Sequence, residues 1–233
     1  MNRVPMRSSR ALLLDLDGTL LDTAPDMGGA LNRLRAENGL EPLPFECIRP
    51  VVSHGAVRLV SLGFPEASGT AFESLRLRFL AIYAEHLAEG TRLFDGFDVV
   101  LESLEIRGLP WGIVTNKPAR LTNPLLAALG LDRRAACAVS GDTLAERKPH
   151  PLPLLHAADL IGVRPEQCVY VGDAERDIQA GRAAGMTTVV ASYGYLSQHD
   201  DPLSWQPHGI VATPAELLGW MEAGAAPDTR ASA

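Results

Sequence analysis

The sequence is poor in cysteine. Its three cysteines, Cys47, Cys137 and Cys168, are scattered and odd in number, and no C-x-x-C pair occurs. That excludes a disulfide framework and a cysteine-based zinc site. Reduced, buried thiols are expected, which fits the cytoplasm. Long apolar runs are also missing. No stretch approaches the roughly 18 apolar residues of a membrane helix. Ala11-Leu12-Leu13-Leu14 runs straight into Asp15, too short for the core of a secretion signal. Positive charge is not in excess either. Lys and Arg number 21 against 28 Asp and Glu, a formal net charge of −7. The chain therefore gains no electrostatic help in holding nucleic acid or an anionic membrane. A small anion would need a locally positive site or a bound cation.

What is present is alternation. Short apolar runs at Ala11–Leu16, Trp111–Thr115, Ala136–Ser140, Cys168–Gly172 and Thr187–Ala191 read as buried strands of a parallel sheet. Helical patterns lie between them, near Val99–Arg107, Pro118–Leu129, Pro151–Ile161 and Asp177–Ala184, with Asn116 as the expected cap of the second. This predicts an α/β fold, a doubly wound parallel sheet. One stretch breaks the pattern. Between Asp26 and about Leu93 there is no convincing strand, and Ala30–Asn38, Val57–Leu62 and Phe72–Ala88 read as helices. A small all-helical cap domain inserted after the first strand is expected. The boundaries predicted are 1–22 and 94–224 for the core, 23–93 for the cap and 225–233 for a flexible tail.

Asp15-Leu16-Asp17-Gly18-Thr19 ends the first apolar run. In such sheets the carboxyl ends of the strands face the ligand crevice. Asp15 and Asp17 are two apart, so along an extended strand they point the same way. Two acids there are costly unless something compensates them, and a divalent cation would. The spacing suits a nucleophile and an acid/base addressing one substrate atom.

Asp15-Leu16-Asp17-Gly18-Thr19-Leu20 resembles the first motif of the haloacid dehalogenase superfamily of phosphatases. Three more motifs follow in order: Ile113-Val114-Thr115-Asn116-Lys117-Pro118, then Lys148-Pro149, then Val171-Gly172-Asp173 with Asp177 four residues on. The resemblance implies the roles. Asp15 would attack phosphorus, giving an aspartyl-phosphate, and Asp17 would act as acid and then base. Thr115 and Asn116 would hold phosphoryl oxygens, and Lys148 would neutralise charge. Mg²⁺ would be held by Asp15, Asp17 through its backbone carbonyl, and Asp173, with Asp177 behind them.

By the same resemblance the insertion is a cap that closes over the core and carries specificity. Ser53, His54 and Gly55 form the loop expected to enter the site, with Arg58 placed to meet a substrate carboxylate. Leu93-Phe94, Lys148-Pro149-His150-Pro151 and Tyr193-Gly194-Tyr195 look like the bacterial phosphoglycolate phosphatases within the superfamily. Ser53-His54-Gly55-Ala56 matches the Ser-x-Gly-Ala loop of a sister group acting on N-acetylmuramic acid 6-phosphate. A sugar phosphomutase would share every core motif. The expectation is an enzyme, monomeric or homodimeric, hydrolysing a small-molecule phosphate monoester, with neither nucleic acid nor membrane as partner.

Overall fold

Strand β1 (Ala11–Leu14) is apolar at every position and out of water on both faces, so helices must cover it on both sides. The computed structural model describes residues 10–222; the tail expected at 225–233 lies outside them. After β1 come β2 (Leu21–Asp22), α1 (Ala24–Glu37), α2 (Phe45–Ile48), α3 (Gly55–Gly63), α4 (Gly69–Glu85) and β3 (Arg92–Leu93). The chain continues through α5 (Phe97–Ile106), β4 (Trp111–Val114), α6 (Ala119–Ala128), β5 (Cys137–Val139), α7 (Leu152–Leu160) and β6 (Cys168–Gly172). It ends in α8 (Glu175–Ala183), β7 (Thr187–Ala191), β8 (Gly209–Val211) and α9 (Leu217–Glu222).

Six strands form one parallel sheet in the order β5-β4-β1-β6-β7-β8. β1 is central, with Leu13 paired to Gly112 on one side and Tyr170 on the other. Alternate side chains go to opposite faces. Leu12 and Leu14 join a core with Phe97, Val100 and Leu104 of α5 and Leu125 of α6. Ala11 and Leu13 join another with Leu154 and Ala157 of α7 and Ala180 of α8. The fold is the doubly wound α/β class that the alternation predicts.

The stretch from α1 to α4 is helical, as expected. It gathers an apolar cluster from Leu31 and Leu34 of α1, Leu59 and Val60 of α3, and Phe79, Ile82 and Tyr83 of α4, which Leu121 and Tyr195 join from outside the stretch. The chain leaves and re-enters the sheet through a two-stranded antiparallel ribbon, Leu21 opposite Leu93 and Asp22 opposite Arg92. Asp26 ties this neck shut. Its Oδ1 accepts from the Gly90 N–H at 2.6 Å, and its Oδ2 accepts from the Thr91 N–H at 3.0 Å and hydroxyl at 2.6 Å. Among the described residues no helix is long and apolar enough to cross a membrane. All three cysteines are free; Cys168 is buried, but Cys47 is exposed, contrary to the expectation of buried thiols.

Candidate active site

The motifs converge at the carboxyl end of the sheet. Asp15 leaves β1 with its N–H bonded to Val171 O of β6 at 2.9 Å, and Thr115 leaves β4 bonded to Val139 O of β5 at 2.9 Å. Asp173 directly follows β6. Gly18 turns the chain after Asp17 at a φ of +84°, and a Cβ there would lie 2.0 Å from Asp173 Oδ2. Only glycine lets the first loop pass so close to that carboxylate.

Lys148 is 2% exposed. Its Nζ lies 2.7 Å from Asp15 Oδ1 and 2.8 Å from Asp177 Oδ1, with Val114 O and the Tyr170 hydroxyl each at 2.8 Å. A buried ammonium is tolerated only when paired in this way. Asp177 Oδ2 accepts from the Ala174 N–H at 3.1 Å, which fixes it at the start of α8.

Burial pushes Asp15 above the usual carboxylate range, against the pull of Lys148. Asp173 is pushed up to about 7, first by burial and then by Asp15 and Asp177. Carboxylate oxygens of Asp15, Asp173 and Asp177 lie within 4.8 Å of one another. Asp173 Oδ1 is buried with no hydrogen-bond partner. A crowded set of oxygen donors with one orphaned atom suits a hard divalent cation. The Asp17 carboxylate stands apart from this set, and the expectation for that residue concerned its backbone carbonyl.

Asp17 Oδ1 instead accepts from Lys117 Nζ at 2.8 Å and from the Thr23 hydroxyl at 2.7 Å. Lys117 is buried, its ammonium 4.6 Å from the Tyr83 ring centroid. Sequence reasoning gave Lys117 no role of its own. A signal was available: the chain has only two lysines, Lys117 and Lys148, among 21 basic residues, and both are here. Arg176 was also missed. It is 2.7 Å from Ser53 O, and the acids around it raise its pKa even though burial opposes its charge.

These groups border a cavity of about 590 Å³ that Asp15, Asp17, Thr115, Asn116, Lys117, Lys148 and Arg176 line from the sheet side. From the insertion come Ser53, His54, Gly55, Arg76 and Tyr83. Partial desolvation, with Arg176 nearby, lowers the His54 pKa. Arg58 does not line the cavity. On α3 the buried face is Leu59, Val60 and Gly63, and Arg58 lies exposed outside it. Arg76 and Arg147 border the cavity in its place.

The Asn116 carboxamide is not a helix cap. It clamps the backbone of Lys148, donating to Lys148 O at 2.9 Å and accepting from its N–H at 3.1 Å. Asp142 Oδ1 takes the first helical N–H, of Ala119, at 2.7 Å. The Lys117 N–H donates to Thr115 Oγ1 at 3.1 Å, within the same turn.

The sequence that builds this sheet and cluster matches a known family. The chain belongs to the haloacid dehalogenase-like hydrolases, whose pattern covers residues 12–191. It is 52% identical to a phosphoglycolate phosphatase of Xanthomonas campestris pv. campestris strain 8004, across 91% of this chain and 96% of the relative. An N-acetylmuramic acid 6-phosphate phosphatase of Pseudomonas aeruginosa PAO1 is 41% identical, across 90% and 93%. The crystal structure of a predicted phosphoglycolate phosphatase from Haemophilus somnus 129PT superposes with a TM-score of 0.81 at 28% identity, covering 92% of this chain and 99% of that one.

Proposed function

We propose that this chain is a phosphatase that removes phosphate from a small phosphorylated acid, with phosphoglycolate as first substrate. The observation that carries the reading is the Asp15–Lys148 pair, 2.7 Å apart beside Asp173 and Asp177 at the edge of the cavity. Phosphoryl transfer asks for positioning and charge neutralisation more than for covalent chemistry. The Asp15 carboxylate attacks phosphorus, the ester P–O bond breaks, and Asp17 gives its proton to the leaving oxygen. Water, deprotonated by Asp17, then attacks phosphorus and frees Asp15 and inorganic phosphate. Lys148 holds Asp15 in place, and the Asn116 clamp fixes the backbone that carries Lys148. Thr115 and the Asn116 N–H bind phosphoryl oxygens. Asp15, Asp173 and the Asp17 carbonyl would hold Mg²⁺, with Asp177 behind them. When bound, that ion neutralises phosphoryl charge.

Residues 23–93 act as the cap over a core of 1–22 and 94–224. The free thiols suit the cytoplasm, and the enzyme works as a monomer or homodimer. A second reading is supported by the cavity. At about 590 Å³, with Met27, Val52, Leu80 and Leu121 on its walls, it falls in the range of sites enclosing drug-sized molecules. That is more room than a two-carbon acid needs, and it favours an amino-sugar acid such as N-acetylmuramic acid 6-phosphate.

The test is phosphate release with Mg²⁺ from 2-phosphoglycolate, N-acetylmuramic acid 6-phosphate, glucose 6-phosphate and β-glucose 1-phosphate. A dominant kcat/KM for either of the first two selects between the readings. Isomerisation of the last with little phosphate released would replace both with a sugar phosphomutase.

A further inference from the structure

The inserted segment reaches one of the clustered acids directly. Ser53 Oγ donates to Asp173 Oδ2 at 2.6 Å, and lies 3.3 Å from the Asp17 carbonyl oxygen. With one proton, the hydroxyl serves the nearer carboxylate. The Tyr195 N–H donates to the same Oδ2 at 2.9 Å. One oxygen of Asp173 is thus pinned by two donors, while Oδ1 is the buried atom without a partner.

The Ser53 peptide is held in turn. Its carbonyl accepts from Arg176 Nη2 at 2.7 Å. Four residues upstream, Arg49 donates to Gly194 O at 3.1 Å and to Tyr193 O at 3.3 Å, in the loop that supplies the Tyr195 N–H. Space is provided as well, since a Cβ at Gly18 would sit 2.7 Å from Ser53 Oγ.

We propose that Ser53 is a positioning residue for the cation site, delivered by the inserted segment, so that docking of that segment and cation binding strengthen each other. This rests on the reading of Asp173 as a cation ligand. A carboxylate with one oxygen fixed presents the other at a set angle, and losing such an outer partner commonly costs about 10–100-fold in metal affinity. Coupling of this kind is reciprocal: whatever factor docking adds to cation affinity, the cation adds to docking.

The experiment uses the full chain without substrate. Mn²⁺ binding is followed by electron paramagnetic resonance and Mg²⁺ binding by calorimetry, for wild type, Ser53→Ala, Ser53→Thr and Asp173→Asn. Ser53→Ala is expected to weaken both ions by about tenfold, and Ser53→Thr, which keeps the hydroxyl, to recover most of that. Hydrogen exchange of the amides of Arg49 and of residues 51–56 should slow when Mg²⁺ is added to wild type, and change little in Ser53→Ala. A merely structural serine would alter thermal stability and leave cation affinity alone. Unchanged affinity in Ser53→Ala, with binding lost in Asp173→Asn, overturns this inference while the metal site stands. Wild type that binds neither ion overturns both.

Discussion

Lys117 and Asp17 stand 100 positions apart in the chain and meet as an ion pair at 2.8 Å, their side chains 4% and 15% exposed. Burial alone would strip the lysine of its charge, yet Asp17 and Tyr83 outweigh it and hold the Lys117 pKa above the usual lysine value. The cation therefore stays charged against the residue proposed to hand over and recover a proton. Lys117→Ala is expected to lower kcat about 100-fold, the scale of general acid–base catalysis, with KM within about threefold of wild type. Steady-state kinetics checks this. A shift in KM alone would move Lys117 from the proton-transfer step to substrate binding.

Asp15→Asn keeps the size of the side chain and a hydrogen-bond acceptor for Lys148, and removes the oxygen anion proposed to attack phosphorus. Turnover is expected to drop by about 10⁴-fold or more, as when other nucleophiles are removed. The midpoint of thermal unfolding should change by only a few degrees, because Lys148 keeps its bond to Asp177 at 2.8 Å. Phosphate release and calorimetry on the same sample separate the two effects.

Asp173 gives stability a pH dependence of definite sign. Its folded pKa, about 7, lies above the ordinary 3.8, so between these values the folded chain holds a proton that the unfolded chain releases. Without metal, this residue costs nothing below about 3.8. It costs progressively more as pH rises to about 7, and a constant amount above that. In chelator, Asp173→Asn should therefore be more stable relative to wild type at pH 8 than at pH 5. Added Mg²⁺ should stabilise wild type more at pH 8, and the variant little at either pH. Parallel unfolding midpoints for the two proteins across this range would contradict the argument.

Tyr195 joins the loop after β7 to the neck of the insertion. Its hydroxyl donates to Asp22 Oδ1 at 2.7 Å and accepts from the Ala24 N–H at 2.8 Å, in a buried position. Tyr195→Phe leaves the buried Ala24 N–H without its acceptor, takes one partner from the half-buried Asp22 carboxylate, and should cost about 1–3 kcal/mol. For a chain of this size that means a fall of very roughly 2–12 °C in Tm. Thermal unfolding measures it directly.

The sheet was legible because five of its strands are short apolar runs, and burial on both faces writes that pattern into the sequence. β8 was not, since Gly209, Ile210 and Val211 form a three-residue edge strand with Ile210 37% exposed. The ribbon of β2 and β3 has two residues a side, too few to carry any period. Its partners are separated by some seventy intervening residues.

The acids and Lys148 were legible from motif order. So were the pairs that Lys148 makes with Asp15 and Asp177, but other contacts around them were not. Arg176 meets Ser53, and Asn116 meets Lys148, through the packing of separate segments that no local pattern encodes. Arg58 shows a limit of another kind. Helical spacing places a residue on a helix, but which face turns inward is decided by Leu59 and Val60 packing against α1 and α4.

Leu21 and Leu93 sit opposite one another across the ribbon, at the spacing of directly paired antiparallel residues, about 5 Å. Everything between them is a detour that begins and ends at one place. A detour of that shape can be lengthened, shortened or exchanged for another lobe without stretching the sheet or displacing Asp15. The ribbon is thus the hinge line at which a replacement lobe would be joined, and Ser53, 2.6 Å from Asp173, is the tie that any such lobe would have to supply again.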